Sequence, residues 1–298
     1  MTAVHHLTGA TVRRAGLAYL PLFLLFFASC AVEEPITTDS RVPVVFSAPQ
    51  VTPQTRTSAD GDRWVSGDRT GIYMLTSGGA LPADVVENAG NRCYAVSSGA
   101  GSSIATFVPV DAAADMIRYP SSGSVDFVAC YPYRATGGSD GIDSGGNYPV
   151  DVSNQNNPAA IDLLYARVTG RSKNDNPVSL PFEHVMSRLV LNVKKGTGII
   201  DSDFADLTAT VSGMPAKAKF SLSNGQFTPE GNTDFQMRKV ATAAGSNATF
   251  EAVVIPTAGG TRSVTLQFYS NKYVWNIPAT DTFQPGKRYT YTITVNLN

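Results

Sequence analysis

Three side chains in this sequence have a type and setting that could do chemistry: Cys30 at the end of an apolar N-terminal run, Arg56 in a polar stretch, and the internal histidine His184. His184 lies within Pro181-Phe-Glu-His-Val-Met-Ser-Arg-Leu. A hydrolase would need a nucleophile oriented against it, and no Gly-x-Ser-x-Gly elbow occurs. The position reads as a strand start, where a hydrogen-bonded structural role outweighs catalysis. No Cys/His or carboxylate cluster has metal-ligand spacing. The loop Asp140-Gly-Ile-Asp-Ser-Gly-Gly-Asn offers oxygen atoms without the order of a calcium loop, and reads as a solvated turn. Gly67-Asp-Arg-Thr-Gly lacks the lysine and following helix that cradle phosphate. Neither an enzyme nor a cofactor is expected.

Cys30 has a different chemistry available. Arg13 and Arg14 precede Leu17-Ala-Tyr-Leu-Pro-Leu-Phe-Leu-Leu-Phe-Phe, and the small residues Ala28 and Ser29 follow. A basic segment, a short apolar core and a small-residue cleavage site make a secretory signal over residues 1–29. The apolar run is too short, and too interrupted by Pro21, to span a bilayer. Small residues followed directly by a cysteine resemble a bacterial lipobox, in which cleavage precedes the cysteine and its thiol carries a diacylglycerol. Phe27 stands where an aliphatic residue is usual. An ordinary secretory signal shows the same order, so that alternative stays open beside lipidation at Cys30.

The elements that must position these residues are strands. Removing residues 1–29 takes away two arginines and no acid, so the formal charge moves from −1 to −3. That is nearly neutral, with no basic stretch to neutralise phosphates, and nucleic acid is not an expected partner. Charged residues make up 16%, against a typical quarter, while turn-forming residues abound. Period-two alternation recurs throughout. Val42, Val44, Phe46 and Ala48 share one face of an early strand, and Val125, Phe127, Ala129 and Tyr131 share another. Leu189, Leu191 and Val193 repeat the pattern, as do Ala216, Ala218, Phe220 and Leu222, then Val264, Leu266 and Phe268, then Tyr289, Tyr291, Ile293 and Val295. Faces of opposite polarity mean sheets covered on one side, as in an all-β sandwich protein. Asn224-Gly225 between apolar-aromatic runs predicts a hairpin.

The hydrophobic pattern lapses over residues 168–177, which predicts a linker between sandwiches at 57–167 and 178–298. Cys93 and Cys130 both fall on the face opposite the apolar residues of their strands. That permits a disulfide without demonstrating one, and two unpaired half-buried thiols are the favoured reading. Trp64 and Trp275 could line a glycan cleft, although single tryptophans in sandwiches are more often core.

Several segments carry a family resemblance, in order along the chain. Val44-Val-Phe-Ser-Ala is followed by Thr55-Arg-Thr-Ser and by Trp64-Val-Ser-Gly-Asp-Arg-Thr-Gly-Ile-Tyr-Met. Tyr119-Pro120, Val125-Asp-Phe-Val-Ala-Cys-Tyr-Pro-Tyr, Asn154-Gln-Asn-Asn and Asp162-Leu-Leu-Tyr-Ala come next. Leu180-Pro-Phe-Glu-His-Val-Met-Ser-Arg-Leu and Phe283-Gln-Pro-Gly-Lys-Arg-Tyr-Thr-Tyr-Thr-Ile-Thr-Val complete the series. Over residues 42–295 the chain resembles the fimbrillin family of Bacteroidales, the Mfa-like subunits of type V pili. Cys130 stands where that family usually has an aromatic residue, and Arg69-Thr70 where it often has an acid or amide and an isoleucine. Glu33 and Glu34 similarly resemble the acidic export signal of Bacteroidales surface lipoproteins.

The resemblance implies two tandem transthyretin-like sandwiches on a surface lipoprotein of the outer membrane, anchored by its acyl chains and found in the fimbrium after processing. It implies an arginine-specific protease that removes the first strand, here within residues 30–56. The emptied groove is then filled by a strand from another fimbrillin subunit. On this chain the removable apolar row would be Val42, Val44, Phe46 and Ala48, and the cut would fall between Arg56 and Thr57. Arg41 is a weaker candidate, since cutting there leaves the strand in place. Pro43, Pro49 and Pro53 suit an edge strand followed by an open loop. The sequence stops three residues after Val295, with no spare donor segment, which points to a terminal place in the pilus. An adhesion ligand on a host or bacterial surface is expected. The alternative is a monomeric surface lipoprotein that binds a glycan or host ligand without polymerising.

Overall fold

In the computed structural model, described over residues 39–49, 63–269 and 271–296, the alternating segments are strands. The first half supplies β1 (Phe46–Pro49), β2 (Arg69–Thr76), β3 (Arg92–Ser98), β4 (Ile104–Pro109), β5 (Val125–Tyr131) and β6 (Asn147–Asp151). A single helical turn, α1 (Pro158–Ile161), leads to β7 (Leu164–Arg171), β8 (Val178–Ser179) and β9 (Glu183–His184). Next come β10 (Ser187–Lys195), β11 (Thr208–Ser212), β12 (Lys217–Ser221), β13 (Phe227–Pro229) and β14 (Phe235–Gln236). The chain closes with β15 (Arg238–Val240), β16 (Ala248–Val254), β17 (Arg262–Phe268), β18 (Asn271–Ile277) and β19 (Arg288–Val295). Asn224-Gly225 does turn the β12–β13 hairpin, with Gly225 at φ 71°.

The fold is an all-β sandwich with two hydrophobic cores. One sheet runs β8-β1-β4-β3-β2-β5-β7-β9 and curls over itself around the first core. The sheets β15-β16-β10-β19 and β14-β11-β17-β18 enclose the second core. There Leu189, Leu191 and Val193 of β10 are buried together with Val264, Leu266 and Phe268 of β17. A third layer, β13-β12-β6, covers the back of the large sheet. Tyr73 and Leu75 of β2, with Val128 and Cys130 of β5, join Tyr148, Val150, Ala218 and Phe220 in the second core. Every residue of β5 is therefore buried, whereas alternation predicts one wet face. Val128 and Cys130 are apolar enough to serve a second core, a use that period-two patterning does not reveal.

The expected linker is also corrected. Residues 168–171 complete β7, and Ser172 and Asp175 cap a short turn whose polar residues explain the lapse in pattern. β8 and β9 then pair with β1 and β7, and Val178, Leu180 and Phe182 fill the first core. Residues 178–184 thus complete the first sheet instead of opening the second sandwich. Conversely, β6 from the first half pairs along its length with β12.

Cys93 and Cys130 are free and buried. Both register opposite Gly71, one on each side of β2. Two strand spacings put their Cα atoms roughly 9–10 Å apart, beyond the reach of a disulfide. A side chain on Gly71 would meet the Asn91 Oδ1 at 2.2 Å and the Cys130 Sγ at 3.4 Å, so glycine makes the room that these groups occupy.

Candidate functional site

The first strand is the element on which the functional expectation rests. Val44-Val-Phe-Ser-Ala is β-branched and aromatic in composition, which suits a pleated surface. Val44, Phe46 and Ala48 point into the first core and are essentially inaccessible, while Val45 faces solvent. Val42 does not join them. It is 40% exposed, although its carbonyl accepts the Tyr119 N–H at 2.9 Å. The buried row has three members, not four.

Phe46 is the centre of the packing. Its ring meets Tyr94 and Phe127 edge to face, each at 5.1 Å between centroids. Burial pushes the Tyr94 phenol up to about 12, and its oxygen accepts the Ile117 N–H at 2.8 Å. Trp64 is core, packed on Phe107, Tyr131 and Phe182, and its indole N–H donates to the Pro49 carbonyl at 3.3 Å. Full burial of a Val or Phe side chain stabilises by about 1.5–3 kcal/mol, so the row contributes several kcal/mol. A typical domain has only about 5–15 kcal/mol in total.

β1 is not the edge strand that its prolines suggest. On one side it pairs antiparallel with β4, Phe46 opposite Phe107 and Ala48 opposite Ala105. On the other it pairs parallel with the two-residue β8. The Val178 N–H donates to the Val45 carbonyl at 2.8 Å, and the Leu180 N–H to the Ser47 carbonyl at 2.7 Å. Where β8 has not yet begun, the Asn176 carboxamide takes over. It accepts the Val45 N–H at 2.8 Å and donates to the Pro43 carbonyl at 3.0 Å. Pro43 precedes β1 and Pro49 is its last residue, opposite Ile104, so neither interrupts the middle of the ladder. Sequence reasoning missed β8 and Asn176, since two residues have no periodicity and Asn176 lies 131 positions from its partner.

The other expected residues fall as follows. Cys30, Arg56 and Thr57 lie outside the described residues, as does Pro53. Arg41 is paired with Glu87, and its carbonyl accepts from Arg118. His184 lies in β9 with Nδ1 3.1 Å from the buried Asp162 carboxylate, a contact that ties β9 to the residue following α1.

A family model described as "Fimbrillin-like" matches residues 55–298. The chain belongs to the fimbrillin-like family. A similar relative is the Bacteroides uniformis protein named "Putative fimbrium subunit Fim1C", 32% identical over 252 residues, spanning 80% of this chain and 77% of the relative. Among solved structures, a "putative cell adhesion protein" of Bacteroides uniformis is 26% identical, with a TM-score of 0.66 over 87% of this chain and 94% of that one. A protein described in the same words from Bacteroides ovatus shares the fold at 18% identity, with a TM-score of 0.63 over 86% and 93% of the two chains. The family match covers the second core and the part of the first that follows residue 55, while β1 with Val44, Phe46 and Ala48 precedes it.

Proposed function

We propose that this fimbrillin-like protein is a non-enzymatic pilus subunit of the bacterial surface. It reaches the outer membrane as a lipoprotein anchored through Cys30, polymerises by strand complementation with other fimbrillin subunits, and contributes to adhesion. A protease cutting after Arg56 removes β1, and a strand from a neighbouring subunit replaces it. One observation carries this reading: β1 is threaded between β4 and β8 and buries three side chains, yet its only onward covalent link to the rest of the sheet is the segment 50–62 that contains Arg56. A cut there leaves β1 held by noncovalent contacts alone, and its loss opens ladder groups on two strands at once.

The test compares the chain before and after residues 30–56 are removed. The shortened protein should melt markedly lower, recover on adding a donor peptide, and migrate as a ladder on a denaturing gel without boiling once it assembles. Equal melting temperatures with no response to any strand would overturn the reading. Loss of labelled fatty acid in Cys30→Ala tests the anchor separately.

A second reading has an observation of its own. Trp275 of β18 and Tyr291 of β19 pack at a tilt, 4.8 Å between centroids and 55° between planes, both half-buried where two sheet edges meet. A monomeric lipoprotein that binds a glycan would use such a surface, and would give no ladder.

A further inference from the structure

The contacts along the β8 side of β1 share a property: each goes to the backbone of the first strand. The groups engaged are the carbonyls of Pro43, Val45 and Ser47 and the N–H of Val45. The Asn176 carboxamide supplies one donor and one acceptor in the order that a peptide group would, and so lengthens the two-residue β8 by one step. Val178 and Leu180 turn their N–H groups to the first strand, so the next ladder position on that side is that of Asn176, and its side chain fills it. The same fold uses this device elsewhere. Gln155 donates to the Val253 carbonyl at 2.9 Å and accepts its N–H at 2.8 Å, beyond the point where β15 stops pairing with β16. Gln155 is fully buried, as befits a permanent joint, whereas Asn176 is half-buried at the rim of its slot.

Side-chain selection comes from the opposite face of the strand. The position of Val44 is aliphatic and closed, and that of Phe46 is a slot walled by the rings of Tyr94 and Phe127. The position of Ala48 lies across from Ala105, both fully buried, with room for a small residue only. Resting on the strand-exchange reading above, we propose that Asn176 is the backbone clamp of the acceptor groove. The occupant is an extended segment of a second fimbrillin subunit, reading aliphatic-x-aromatic-x-small and running antiparallel to β4. Asn176 reads that segment's backbone and so holds it in register, while Tyr94, Phe127 and Ala105 read its side chains.

The probe is a fluorescent peptide with the sequence of residues 42–49, Val-Pro-Val-Val-Phe-Ser-Ala-Pro. It is exchanged into the full chain after cutting at a site-specific protease sequence placed over residues 54–58. Two lost hydrogen bonds should weaken binding to Asn176→Ala by about tenfold. N-methylation of the residue equivalent to Val45 removes one of the two, its N–H donation to the Asn176 Oδ1, from the peptide side. It should therefore cost affinity with the unsubstituted protein and far less with Asn176→Ala, a coupling that does not depend on how stable the variant is. Peptides with Phe46→Ala or Ala48→Leu should bind poorly to both proteins. Equal affinity for Asn176→Ala, or an equal cost of N-methylation in both, would overturn the clamp while leaving strand exchange intact. Failure of the cut protein to take up any peptide would instead overturn strand exchange, and the clamp with it.

Discussion

The ring of Phe46 stands edge-on to that of Phe127, 5.1 Å between centroids and 85° between planes, although three strands separate β1 from β5 in their sheet. The contact exists because the sheet curls until β1 and β5 face each other. Phe46→Ala in the uncut chain should lower unfolding free energy by about 3–5 kcal/mol, the usual cost of emptying a buried phenylalanine site. Val42→Ala should fall within about 0.5 kcal/mol, as surface substitutions do. Denaturant unfolding of the two variants measures the difference. Comparable losses would mean that the apolar row extends to Val42 after all.

Glu251 is the most heavily shared charge in the second sandwich. Its carboxylate pairs with Arg188, and also lies 3.7 Å from Arg238 and 3.5 Å from Arg288. Glu251 and Arg188 are both buried. Glu251→Gln should destabilise by about 3–5 kcal/mol, because a buried guanidinium loses its counter-charge. Replacing both Glu251 and Arg188 with apolar residues should cost less than Glu251→Gln alone. Thermal melts of the single and double variants check that order.

Much of the scaffold was legible because alternation is a direct readout of burial in a strand. Ala216, Ala218, Phe220 and Leu222 are all buried, with Lys217 and Lys219 exposed between them, as their pattern requires. Legibility failed where a strand serves two cores, as in β5, and where pairing is too short to show a period, as in β8 and β9. The site split along the same line. Phe46 and Ala48 could be read as inward residues, but their position between β4 and β8 could not. A lone asparagine before a proline gives no sign that it will complete a ladder with a strand far behind it in the chain.

The thiols give a pH-dependent prediction. Burial pushes the Cys130 thiol up from 9.0 to about 12, and Cys93 is also raised, by burial first and then by the Asp115 charge. Between about pH 9 and 12 the unfolded chain has lost the Cys130 proton that the folded chain keeps. The contribution is therefore intact below pH 9 and declines as pH rises towards 12. Buried tyrosines such as Tyr94 add to the same decline, so the informative quantity is a difference. Cys130→Ala should make the alkaline fall in stability shallower than in the unsubstituted protein. Ellman's reagent should leave Cys130 unmodified in the native protein at pH 8. In denaturant both Cys93 and Cys130 should react without prior reduction, and a thiol seen only after a reductant would mean that the pair is bridged.

Arg56→Ala addresses the proposed switch. With the link from β1 to β2 uncut, Val44, Phe46 and Ala48 stay in their own core, and the backbone contacts to Asn176, Val178 and Leu180 stay occupied. An intramolecular strand competes at an effective concentration that a separate donor cannot match, of millimolar order for a short link. The variant should therefore accumulate on the cell surface as a lipid-anchored monomer that begins at Cys30 and melts as high as the uncut chain. N-terminal sequencing, with gel mobility before and after boiling, reads both properties. Surface polymers that still carry residues 30–56 would remove Arg56 from the mechanism, and would require the groove to exchange strands without losing its first one.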